Sequence, residues 1–160
     1  RDRKTITVTL IISLISCILF SIPVSATITD NTEKAIEYLE NGNYIETIIT
    51  DDTENSGISL YATNTITKTK TKYYKNSSGT VLWSVSVKAT FSYNGSTSTC
   101  TSCSHSTTAP ASSWSIKSAS HSKSGNTATA KATATWKTSA GSKDYSMSVT
   151  IKCSATGVVS

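Results

Sequence analysis

Between residues 81 and 93 the chain reads V-L-W-S-V-S-V-K-A-T-F-S-Y, and this alternation constrains the fold more than any other feature of the sequence. At a period of two, Val81, Trp83, Val85, Val87, Ala89, Phe91 and Tyr93 fall on one face, and Ser84, Ser86, Lys88, Thr90 and Ser92 on the other. A half-buried antiparallel strand has this pattern; a helix would scatter the same residues around its circumference. The period recurs in A-T-N-T-I-T-K-T-K-T-K-Y-Y, W-S-I-K-S-A-S, N-T-A-T-A-K-A-T-A-T-W-K and D-Y-S-M-S-V-T-I-K-C. K-N-S-S-G, S-K-S-G-N and S-A-G-S-K supply turns between these runs. Alanine in such a setting is a small strand residue, because Leu, Glu, Gln and Arg are almost absent here. The expectation is an all-β fold: an antiparallel β-sandwich of about six strands, immunoglobulin-like or Greek-key, over residues 61–160. The lysine-studded run holding Lys68, Lys70 and Lys72 suits an edge strand.

The residues before this body read differently. Residues 1–26 place Arg1, Arg3 and Lys4 ahead of an apolar run that closes on V-S-A, which predicts a secretory signal peptide cut after Ala26. A competing reading takes L-I-S-C as a lipid-anchor signal at Cys17. Residues 27–60 form an acidic arm or pro-segment, with eight acids against Lys34, whereas residues 61–160 hold eleven lysines against Asp144. In the arm, N-T-E-K-A-I-E-Y-L-E-N-G predicts one short helix, capped at Asn31 or Thr32, stopped at Gly42 and followed by a linker from residue 43. Charge separated in this way points to an interaction tail or a polyanionic partner.

Cys100 follows the turn Asn94-Gly95, and a two-residue hairpin there pairs Tyr93 with Ser96 and Ala89 with Cys100, turning Cys100 inward beside Phe91. Cys153 is inward by its own strand's alternation. Two inward cysteines in an exported chain predict a Cys100–Cys153 disulfide, which would stabilise by roughly 4 kcal/mol in the chain-entropy view. Cys103 has the opposite parity, should face outward or sit in a loop, and is left as a free thiol or an intermolecular partner.

The run G-T-V-L-W-S, F-S-Y-N-G-S-T-S-T-C, W-S-I-K-S-A-S-H-S-K-S-G-N-T-A-T-A-K-A-T-A and a closing cysteine, spanning residues 79–155, resembles a group of small, uncharacterised exported β-rich proteins of Gram-positive bacteria. That resemblance implies location and no activity. More loosely, the spacing of Cys100, Trp114 and Cys153 is similar to the immunoglobulin pattern.

Chemistry is sparse. Asp144 is the one side-chain carboxylate of residues 61–160, so a glycosidase acid pair cannot be assembled there. His105 and His121, each in an S-H-S stretch, read as solvated loop residues, and no catalytic residue, metal site or cofactor is expected. Trp83, Trp114 and Trp136 are in phase with the apolar faces and read as core. The function expected is a secreted, non-enzymatic module that binds an anionic cell-envelope polymer or membrane surface. Its candidate binding residues are Lys68, Lys70, Lys72, Lys88, Lys131, Lys137 and Lys152. Nucleic acid is not expected, since the body lacks the arginines that grip phosphate and guanine bidentately. The alternative is a cationic antibacterial effector whose acidic pro-segment is removed by processing.

Overall fold

A computed structural model describes residues 32–52 and 63–160. The signal peptide, Cys17 and the Ala26 cut lie outside the described residues, as does the junction at residues 60–61. Eight strands are present among the described residues: β1 (Glu33–Tyr38), β2 (Tyr44–Asp51), β3 (Asn64–Lys75), β4 (Val81–Tyr93), β5 (Ser98–Thr108), β6 (Trp114–Ser124), β7 (Thr127–Thr138) and β8 (Gly141–Lys152). They form two antiparallel sheets, ordered β1-β2-β3-β4-β5 and β6-β7-β8. Every hydrogen-bonded neighbour is also next in sequence, so both sheets are meanders, without the crossover that a Greek-key or immunoglobulin topology requires.

The predicted helix is a strand. Glu33–Tyr38 pairs with Tyr44–Asp51, and Tyr44–Asp51 pairs with β3 from Tyr44↔Lys75 to Asp51↔Lys68, so residues expected to form a helix and a linker extend the larger sheet. Ala35, Ile36 and Leu39 would share a helix face, but so short a helix is marginal without a partner. As a strand it gains a full ladder. Gly42, read as a helix stop, is the positive-φ glycine of the β1–β2 turn (φ 79°), where its amide donates to the Leu39 carbonyl. On the outward face of this hairpin Glu46 is buried and pairs with both Lys34 and Lys75. Those contacts, Lys34 first, hold its carboxyl below the ordinary glutamate range.

The core lies between the sheets. Trp83, Val85, Val87 and Phe91 of β4 are fully buried, and with them cluster Ala128, Ala130, Ala132 and Ala134 of β7 and Met147, Val149 and Ile151 of β8. Paired residues of neighbouring strands share a face, so the Trp83–Phe91 row is bracketed by inward residues of β3 and β5. An aromatic group closes one end: Tyr74, Trp83, Trp114 and Tyr145 lie with ring centroids 5.1–6.4 Å apart. Trp136 stacks on Trp114 at 6.2 Å yet remains 37% exposed, so it is the one tryptophan of the three that the core does not enclose.

After β8 the chain turns back on itself. Cys153 bridges Val159, the amide of Lys152 donates to the Ser160 carbonyl, and Val159 is buried. The turn also reaches the β4–β5 loop, where the Gly95 amide donates to the Ala155 carbonyl at 2.8 Å. Gly157 sits at φ 85°, and a Cβ there would stand 2.5 Å from the Tyr93 ring. Gly157→Ala should therefore destabilise by about 1–2 kcal/mol from the left-handed backbone alone, seen as a fall in Tm of about 2–8 °C by circular dichroism.

A second expectation concerns pH. The folded pKa of Glu46 lies below its unfolded value of about 4.3, so its contribution is fully present above that value and is lost as pH falls through the folded pKa. Glu46→Gln should lower stability at pH 7 by about 1–3 kcal/mol. In urea titrations at several pH values, the gap from wild type should narrow below about pH 4.

Candidate functional site

The lysines predicted to bind divide into two groups. Lys68, Lys70 and Lys72 pair with Ala89, Val87 and Val85 in the ladder, which turns them toward the inward face, half-buried on the part of the larger sheet nearest β2. Lys68 meets Asp51 at 3.6 Å, and burial followed by neighbouring Lys72 pushes the Lys70 ammonium pKa down. Lys88, on the outward face, meets Asp52 at 3.4 Å, and Asp52 also accepts a 2.5 Å hydrogen bond from the Thr69 hydroxyl. Asp51 and Asp52 thus engage Lys68 and Lys88, while Lys70 and Lys72 stay half-buried on the inward face.

The smaller sheet differs. Its outward face carries Lys131 at the centre of β7, Lys137 near the β7–β8 turn and Lys152 at the end of β8, all exposed. None of the three forms an ion pair with a described residue. Lys117 adds a fourth cation through a β-bulge: Ile116 pairs with Ala134 and Ser118 with Thr133, leaving Lys117 as the extra residue. It donates to Asp144 at 2.5 Å. Asp144 also accepts from the Thr135 hydroxyl at 2.7 Å, and these contacts, Lys117 first, hold its carboxyl below the usual aspartate range. A shallow depression lined by Lys117, Lys137, Lys143, Thr135 and Ser142 surrounds this carboxylate. Lys143, which pairs with Trp136 and shares a row with Tyr145, lies over the Tyr145 ring at 5.2 Å. The rest of the face consists of hydroxyls, several bonded across strands, such as Thr129 to Thr150 and Thr133 to Ser146. Such a surface offers mobile ammonium groups and hydroxyls in parallel rows, chemistry suited to repeated anionic groups.

The cysteines occupy the inward side, but no disulfide is formed. Cys100 and Cys153 are both buried as free thiols, and Cys103 is half-buried. Each inward orientation was correctly expected for Cys100 and Cys153, although the β4–β5 loop is longer than two residues and Cys100 pairs with Phe91 rather than Ala89. Both thiols donate to nearby carbonyls at 3.3 Å, Cys100 to Ser102 and Cys153 to Ser154. Burial first, then Cys103, pushes the Cys100 thiol pKa up, which keeps it protonated. Cys103 is not outward: a bulge pairs Phe91 with Cys100 and Thr90 with Ser102, and the extra residue Thr101 turns Cys103 to the inward side opposite Ala89. There it packs against the core cluster.

The same two bulges act on the histidines. His105 pairs with buried Val87, and His121 with buried Ala130, so both lie on strands and on the inward rows. They meet across the seam between β5 and β6, Nδ1 to Nδ1 at 2.6 Å, with ring centroids 4.8 Å apart. The sequence reading, which placed both in solvated loops, could not reveal this pairing. Among the described residues no group of three or more His, Cys, Asp or Glu side chains is gathered as a ready metal cluster. Comparison with known proteins finds no matching family model, no similar curated protein and no similar solved structure.

Proposed function

We propose that this chain is an exported, non-enzymatic binding module that attaches to an anionic cell-envelope polymer or membrane surface through the outward face of β6–β8. The observation that carries the reading is the segregation of charge. Lys131, Lys137 and Lys152 are exposed and unpaired with any described acid, while Asp144 is already engaged by Lys117 and Thr135. Export is the part of this reading that rests on residues 1–26 alone.

The alternative, a cationic effector released from an acidic pro-segment, is less well supported. Residues 44–51 of that segment form a strand paired along its whole length with β3, and Glu46 and Asp51 neutralise lysines there. A pro-segment built for removal would leave Lys68, Lys75 and Lys88 without their counter-charges. On this reading the N-terminal hairpin belongs to the working molecule. A chain beginning at residue 61 should lose several kcal/mol of stability, with a Tm lower by more than about 10 °C, because a central strand becomes an edge and its ion pairs vanish. An equal Tm, together with a secreted product whose intact mass starts near residue 61, would restore the effector reading.

Binding itself is testable with polyphosphate and with vesicles containing anionic lipid. At about 1 kcal/mol per lysine near an anionic surface, Lys131→Gln, Lys137→Gln and Lys152→Gln combined should weaken binding by about two orders of magnitude at low salt. Raising the salt from about 0.05 to 0.2 M should weaken the wild type in the same direction. Lys68→Gln serves as the comparison and should change affinity little. Equal loss from Lys68→Gln, or none from the triple variant, would remove β6–β8 as the binding face.

A further inference from the structure

We propose that His105 and His121 form a site for a borderline divalent transition-metal ion, with Zn²⁺ as the reference ion, that joins the two sheets at the β5–β6 seam. The two imidazoles come from strands of different sheets and face each other through like atoms, Nδ1 to Nδ1 at 2.6 Å. In the metal-free pair one Nδ1 must donate and the other accept, so the rings occupy different tautomers. Neutral imidazole nitrogen is a preferred ligand for zinc, copper and nickel, and two such nitrogens pointed at one space are the least that a chelate needs.

The geometry is close to what an ion requires. Zinc bonds imidazole nitrogen at about 2.0–2.1 Å, which in a tetrahedral site separates two ligand atoms by about 3.3 Å. The rings therefore need to part by about 0.7 Å from the present 2.6 Å. His121 is exposed and His105 half-buried, so a small rotation about the His121 side-chain torsions accomplishes this. The donating ring moves its proton from Nδ1 to Nε2, leaving both Nδ1 lone pairs on the ion with no net gain or loss of protons. Water completes the coordination from the solvent side. Lys123, two positions along the same row of β6, has its ammonium at the Cys100 carbonyl, 3.1 Å away. Cys103 lies two positions before His105 on the same row, half-buried against the core, and is not needed as a ligand.

The consequence is mechanical. β5 and β6 belong to different sheets, so an ion held by one histidine from each would act as a staple across a seam that no strand ladder closes. Any ion that binds only the folded chain raises its stability by mass action.

The test is calorimetric titration of the full folded chain with Zn²⁺ at pH 7.5, paired with thermal unfolding. One ion per chain should bind in the micromolar range. Free zinc at a hundredfold excess over the dissociation constant should raise Tm by about 5–10 °C. His105→Gln and His121→Gln should each weaken binding at least tenfold and abolish the rise in Tm, while the metal-free Tm of the exposed His121→Gln variant stays within about 2 °C of wild type. Cys103→Ser should keep the affinity within about threefold. Mg²⁺, which avoids imidazole, should not shift Tm. Absence of zinc binding, full binding by either histidine variant, an equal response to Mg²⁺, or a loss in Cys103→Ser as large as in the histidine variants would overturn the assignment.

Discussion

The packing of β4 against β7 governs this molecule. Trp83, Val85, Val87 and Phe91 present a row of large side chains, and Ala128, Ala130, Ala132 and Ala134 present a row of methyl groups, all inside one buried cluster. Large against small lets two sheets approach closely without voids, and each substitution in such a layer is felt because protein interiors are packed as densely as organic crystals. The remaining features hang on this contact. β3 and β5 flank β4, β6 and β8 flank β7, and the aromatic group of Tyr74, Trp114 and Tyr145 closes one end.

That core also decides where charge can go. The larger sheet extends beyond the smaller one, and its extension, β1 and β2, brings Glu46, Asp51 and Asp52 against Lys34, Lys75, Lys68 and Lys88. Neutralisation there leaves the three-stranded sheet as the cationic side of the protein. The acid-rich start and lysine-rich body, which read along the sequence as two regions, become in space a neutralised sheet and a cationic one. Exposed pairs of this kind add little to stability, so their main effect is on the electrostatic field around the larger sheet. Glu46, buried between two lysines, is the exception that also stabilises the hairpin.

Two bulges redirect chemistry without altering the fold. The extra Thr101 in β5 turns Cys103 and His105 inward, and the extra Lys117 in β6 turns Ala119, His121 and Lys123 inward while placing Lys117 beside Asp144. One inserted residue inverts the parity of everything beyond it until the strand ends. The histidine pair exists because both strands carry such an insertion.

The sequence by itself determined the all-β class, the inward face of β4 and β7, the burial of Trp83 and Trp114, and the inward turn of Cys100 and Cys153, because strict alternation ties each side chain to a face. It could not determine the N-terminal hairpin: E-K-A-I-E-Y has no period of two and is a strand because it pairs with β2, which in turn pairs with β3. Nor could it determine that Cys100 and Cys153 lie apart as free thiols, which depends on how the sheets stack rather than on parity. The meeting of His105 with His121 was decided by tertiary structure alone. Bulges carry no signal in an alternating run of serines and threonines, and the seam between β5 and β6 appears only when the two sheets close on each other.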